Sequence, residues 1–173
     1  VLLTLHRRES FGAPLLRMLE AVRALAARGD VAILFPVHPN PALAGPVRAT
    51  LGEADGVCLV APLDYPAFVA ALQRADFVMT DSGGVQEEAP SLGKPVIVLR
   101  RRTERPEAIE AGAAILAGDD GEAILAAATR LLDDPALHGR MARAGNPFGD
   151  GRAGERIALS LTRWTTHARH AAP

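Results

Sequence analysis

Phe77-Val78-Met79-Thr80-Asp81-Ser82-Gly83-Gly84-Val85-Gln86-Glu87-Glu88 holds a complete strand-to-helix turn. Phe77–Thr80 is a short run without polar alternation, as expected of a parallel strand buried on both faces. Asp81-Ser82-Gly83-Gly84 breaks the run, and a helix is expected from there through Leu92, stopped by Gly93 ahead of Pro95. Two glycines after a strand let the backbone approach an anion closely, and the helix they open points its free N–H groups at it. Ser82 adds a hydroxyl at the capping position. Glu88 lies one to two turns along the same helix, where a carboxylate suits the hydroxyls of a ribose whose phosphates rest on the helix start. The pattern describes a nucleotide-diphosphate site. The same spacing also fits a plain capped helix after a tight turn.

Outward from this unit the same beat repeats. Strands are expected at Val1–Leu5, Val31–Val37, Gly56–Ala61, Val96–Leu99 and Ala114–Ala117. Between them, Pro14–Arg28 sets Leu15, Leu16, Leu19, Val22, Leu25 and Ala26 at helical spacing, and Asp64–Ala75 turns Phe68, Val69 and Leu72 inward. Pro41–Glu53 reads as a short or broken helix because Gly45-Pro46 interrupts it. A short helix at Pro106–Ala111, another at Asp119–Leu132, and a helical tail from Pro135 to about Ala168, broken over Gly145–Gly151, complete the chain. Short strands alternating with helices mean βαβ units. The fold class is α/β, a doubly wound parallel sheet of about six strands, Rossmann-like, in one domain over 1–173. Ligands in such sheets sit beyond the carboxyl ends of the strands, so the strand-to-helix turns carry the search.

Composition excludes several classes. The 173 residues are 49% apolar with a formal charge of −1, so neither a disordered chain nor a general nucleic-acid-binding surface is expected. The longest strand-like apolar runs fall well short of the ~18 residues of a membrane span. A single cysteine, Cys58, excludes an internal disulfide and fits a reducing compartment, hence a cytoplasmic location. The chain opens on Val1 inside an apolar run, as expected of a fragment or a processed chain.

Other turns carry candidate groups. The first strand leads into His6-Arg7-Arg8-Glu9-Ser10-Phe11-Gly12, where a titratable imidazole and forked guanidinium donors suit phosphate. An exposed loop with Arg7 and Glu9 paired fits equally. Pro36-Val37-His38-Pro39-Asn40-Pro41 fixes His38 with three prolines. Arg100-Arg101-Arg102-Thr103-Glu104-Arg105 is the densest positive stretch, and most of its charges are expected to be solvated. Asp119-Asp120 and Asp133-Asp134 read as helix caps or solvent-facing charges. The histidines have neither helical ligand spacing nor cysteine company, so no metal site is expected.

These motifs, with Thr103-Glu104-Arg105-Pro106-Glu107 and Asn146-Pro147-Phe148-Gly149-Asp150-Gly151, stand in an order that resembles the C-terminal domain of the non-hydrolysing bacterial UDP-N-acetylglucosamine 2-epimerases. The likeness runs over essentially the whole chain. It implies one half of a GT-B-type two-domain enzyme, with the N-terminal domain absent from this chain. It implies a reaction interconverting UDP-GlcNAc and UDP-ManNAc by elimination and re-addition of UDP, without a cofactor, in an enzyme that is a homodimer when complete. By resemblance, Ser82, Gly83 and Gly84 hold the diphosphate and Glu88 the ribose, while Phe68 lies along the uracil. His6, the catalytic candidate, and Arg105 flank the phosphates and sugar; Arg7 and His38 fall where the family places a second, regulatory UDP-N-acetylglucosamine. One departure is Leu63, which precedes Asp64-Tyr65 where family members often carry glutamine.

Three rival readings share these residues. A hydrolysing epimerase would release ManNAc and UDP. A GT-B glycosyltransferase would hold a sugar donor on the same turn, and the His6-Arg7-Arg8-Glu9-Ser10 motif argues against it. A non-catalytic UDP-sugar-sensing module would use Arg7 and His38 as its effector site and bind without turnover.

Overall fold

The computed structural model describes residues 1–170, with side chains through Trp164. Six parallel strands form one sheet: β1 (Leu2–Thr4), β2 (Ile33–Pro36), β3 (Val57–Val60), β4 (Val78–Thr80), β5 (Val96–Val98) and β6 (Ala114–Leu116). Their spatial order is β3-β2-β1-β4-β5-β6. The direction of the strand order therefore reverses between β1 and β4, neighbours that pair Leu2 with Val78 and Thr4 with Thr80.

The helices are α1 (Ala13–Ala26), α2 (Pro41–Leu51), α3 (Tyr65–Arg74), α4 (Gly83–Ser91), α5 (Pro106–Glu110), α6 (Gly121–Asp133), α7 (Pro135–Ala142) and α8 (Ala153–His170). Successive strand residues point to opposite faces, and both faces are covered. Leu3, Phe35, Met79 and Ile97 pack with α1, α2 and α6 in the larger core. Leu2, Val78, Val96 and Val98 pack with α3, α4 and α5 in a smaller, alanine-rich one. That alternation explains why the strands show no polar alternation, with Thr4 and Thr80 at the ends of β1 and β4, and it bears out the doubly wound expectation.

Two expectations change. The segment read as broken at Gly45-Pro46 is one continuous helix, α2. Glycine before proline has no Cβ to collide with the ring, and Leu43, Val47 and Leu51 are all buried along one face. The helix is also pinned at its start, where Ala42 N donates to Asn40 Oδ1 at 3.0 Å. The first turn, read as loop, includes a short 3-10 helix at Arg8–Ser10.

Gly29 ends the α1 segment in the left-handed conformation, φ +79°, with its N–H donating to Ala26 O. Among the described residues no helix is long and apolar enough to cross a membrane. The described side chains of α8 are all exposed, and Ile157, Leu161 and Trp164 make an apolar stripe along it.

Leu25 and Leu16 separate core from surface on one helix. Leu25 is 0% exposed and Leu16 48% exposed. Leu25→Ala is expected to lower unfolding free energy by ~2–5 kcal/mol in urea titration, against roughly 0.5 kcal/mol or less for Leu16→Ala.

Candidate functional site

The reversal between β1 and β4 brings two loops together that lie about seventy-five residues apart. Asp81, 0% exposed, joins them. Its Oδ2 accepts from His6 N at 3.0 Å and Arg7 N at 2.9 Å, and its Oδ1 lies 3.0 Å from His6 Nδ1. One residue below, the hydroxyls of Thr4 and Thr80 meet at 2.6 Å, and Ser82 N donates to Thr80 Oγ1. The first-strand loop is thus tied to the residue that precedes the α4 cap.

Helix α4 begins at Gly83, with Ser82 at its N-cap. Val85 N reaches Ser82 Oγ at 3.5 Å, a long contact that leaves the hydroxyl largely available. Neither glycine is there for a left-handed turn, since neither has positive φ. A Cβ on Gly83 would lie 3.6 Å from Arg7 Nη2; one on Gly84 would lie 3.9 Å from Glu88 Oε1 and 4.0 Å from Ser82 Oγ. Their bareness therefore opens the helix start, with one guanidinium, one hydroxyl and one carboxylate around it. Arg7 Nε is buried without an acceptor among the described residues.

Each sequence-derived candidate has a definite place. Ser82, Gly83, Gly84 and Glu88 converge on the start of α4, and His6 and Arg7 stand beside it. Glu88 also takes a 3.4 Å hydrogen bond from Tyr65 Oη, which brings the first turn of α3 alongside. Phe68 sits in that turn, half-buried against the smaller core. His38 is exposed, with its ring 6.5 Å from that of His6. Arg105 caps α5 and pairs through Nε with Glu87, the neighbour of Glu88 on α4.

Sequence reasoning missed the supports. Gln86, wholly buried, donates to Ser82 O at 3.0 Å and accepts from Thr103 Oγ1 at 2.5 Å. Thr103 Oγ1 in turn accepts from Arg105 N at 3.0 Å, so one polar chain runs from the α4 cap to Arg105. Asp81 offered no sign in the sequence beyond its place in the turn, because its partners His6 and Arg7 lie on another loop. Most charges of the 100–105 stretch are solvated as expected, Arg101 and Arg102 among them, but Arg100 is buried between Glu9 and Glu104, and the exposed Arg101 pairs with Asp119. Glu9 thus pairs with Arg100 rather than Arg7. A net charge near zero across a chain gives no sign of such local pairing. Of the two acidic pairs, Asp120 and Asp134 cap α6 and α7 and Asp133 is exposed, as expected, whereas Asp119 is neither cap nor solvent-facing but half-buried between Arg17 and Arg101.

A parallel sheet of this order, with an open helix start beside Arg7 and His6 at its reversal point, defines a Rossmann-like domain. The chain belongs to the UDP-N-acetylglucosamine 2-epimerase family, whose model matches residues 1–162. It is 48% identical over 162 residues to the UDP-N-acetylglucosamine 2-epimerase of Bacillus subtilis, covering 93% of this chain and 43% of that protein. The enzyme of Escherichia coli K12 is 47% identical over the same shares. Among solved structures, a Staphylococcus aureus MnaA–UDP co-structure matches with a TM-score of 0.91 and 42% identity, over 95% of this chain and 46% of that one. The chain therefore spans less than half the length of these relatives.

The Arg100–Glu104 pair gives a pH signature. The hydrogen bond from Arg100 holds the Glu104 carboxyl at about 2, well below its usual 4.5. Glu104 binds its proton less readily folded than unfolded, so any stability from the pair is present above 4.5 and lost as pH falls toward about 2. Glu104 is exposed and the contribution is expected to be small. Melting temperatures of wild type and Glu104→Gln should converge across that window.

Proposed function

We propose that this chain, over 1–173, is the nucleotide-binding C-terminal half of a GT-B-type UDP-GlcNAc/UDP-ManNAc 2-epimerase, an isomerase. The observation that carries the proposal is the meeting of His6 and Arg7 with the open start of α4, with Glu88 on the same helix. The α4 amides at Gly83 and Gly84, with the hydroxyl of Ser82 whose own N–H is taken by Thr80 Oγ1, receive the UDP diphosphate, where unpaired N–H groups and the helix dipole favour negative charge. Glu88 accepts the ribose hydroxyls, and Phe68 on the adjoining turn lies toward the uracil. Arg105, oriented by Glu87 and the Gln86–Thr103 chain, serves the phosphate and sugar side.

In the reaction, the bond from the anomeric carbon to UDP breaks and its electron pair leaves with the β-phosphate oxygen. Loss of the C2 proton gives 2-acetamidoglucal; UDP then re-adds after the C2 proton returns to the opposite face. This half stabilises the departing diphosphate through the α4 amides, Ser82, His6 and Arg105. An N-terminal domain supplies the carboxylates for the C2 proton and the second wall of the cleft. The greater length of the relatives and the uncovered stripe of α8 support that division. His38, beside His6, together with Arg7 forms the regulatory position for a second UDP-GlcNAc. The complete enzyme works as a cytoplasmic homodimer and needs no metal or redox cofactor.

Full-length enzyme supplied with UDP-GlcNAc should yield UDP-ManNAc; free ManNAc and UDP would instead identify a hydrolysing enzyme, and binding without turnover a sensor. Glu88→Ala should weaken UDP by roughly 1.5–3 kcal/mol in calorimetry, and unchanged affinity would remove Glu88 from the ribose. Gly84→Ala separates site from fold. A methyl there meets no atom closer than 3.9 Å, so stability should hold or rise by up to ~1 kcal/mol while UDP affinity falls at least about tenfold. Intact UDP binding in that variant would place the diphosphate elsewhere.

A further inference from the structure

We infer that Asp81 is the positioning residue of His6, fixing the ring proton on Nδ1 and so turning a bare Nε2 outward for ligand. The inference deepens the proposed function and rests on its assignment of His6 to the departing diphosphate. Three observations carry it. Asp81 is 0% exposed, yet its carboxylate takes two backbone N–H groups from the His6 loop and faces the imidazole at 3.0 Å. An ionised carboxylate can only accept, so the ring nitrogen facing it must carry hydrogen. Neither ring nitrogen has a hydrogen bond that meets strict geometry among the described residues, but Nδ1 alone is approached by Asp81 Oδ1, at 3.0 Å, and the ring is partly exposed beside the α4 start.

The consequence is chemical. A neutral His6 held this way presents a lone pair at Nε2, and only the imidazolium presents a donor there. The buried carboxylate balances the imidazolium when it forms beside the phosphate, as a carboxylate behind a histidine does in other active sites. The same two backbone bonds fix where the ring stands, so Asp81 sets both position and tautomer while touching no substrate itself.

Long-range 1H–15N spectra of full-length enzyme labelled at histidine, with His6 assigned by its loss in His6→Ala, test the inference directly. The neutral wild-type ring should be the Nδ1–H tautomer. In Asp81→Asn the amide can keep the loop bonds through its oxygen while its NH2 faces Nδ1, so the ring should switch to Nε2–H. With melting temperature retained, kcat should fall at least about tenfold, toward the ~10⁴-fold of a wrong-tautomer triad, with KM within about threefold. Added to His6→Ala, Asp81→Asn should change kcat less than about twofold, because both act through one ring.

An Nε2–H tautomer in the wild type, an unchanged tautomer in Asp81→Asn, or a full further loss on top of His6→Ala would overturn the inference. If Asp81→Asn does not fold, the wild-type tautomer alone decides it. An Nδ1–H ring in an enzyme that fails to turn over UDP-GlcNAc would defeat the proposed function and still support Asp81's hold on His6.

Discussion

A buried carboxylate between two strand ends organises this domain. Leaving Asp81 without partners in a dry interior would be costly, and its satisfaction by the His6 and Arg7 N–H groups makes the two loops one unit. The Thr4–Thr80 contact one residue below continues the same seam. Everything around the helix start is referred to that junction: His6 and Arg7 on one side, Ser82 and the glycines on the other.

Beyond the junction, polar supports fan outward in a fully satisfied chain. Gln86 uses both ends of its amide, one on the α4 cap and one on Thr103, and Thr103 receives Arg105. Buried networks with every member paired impose one geometry, since each alternative strands a donor or acceptor. Arg100, held between Glu9 and Glu104, braces the opposite flank of the same loops. Within the positive stretch at 100–105, Arg100 is scaffold, while Arg101 and Arg105 pair with Asp119 and Glu87. By contrast, Arg7 Nε is buried without an acceptor among the described residues, and Nη2 of the same guanidinium reaches toward Gly83.

The two faces of the sheet divide the labour. Leucine-rich α1, α2 and α6 build the larger core and give the sheet its stiffness. Helices α3, α4 and α5, on the alanine-rich face, carry Glu88, Phe68 and Arg105. The exposed stripe of α8 belongs to neither core.

Local pattern determined much of this protein. Period and punctuation showed the alternating strands and helices, the stop at Gly29, and the helix opening at Ser82-Gly83-Gly84, because each depends on residues a few positions apart. The ordered motifs carried the family likeness for the same reason. The continuity of α2 through Pro46 was hidden, since burial of Leu43, Val47 and Leu51 overrides a local breaker. Strand order was hidden too. Nothing in the sequence places β1 beside β4 rather than β2 alone, and only that pairing sets Asp81 against His6. Likewise, Glu9 sits two residues from Arg7 yet pairs with Arg100, ninety-one positions on. Local chemistry fixes which groups a turn offers; which groups meet is decided when the sheet closes and buried charges must find partners.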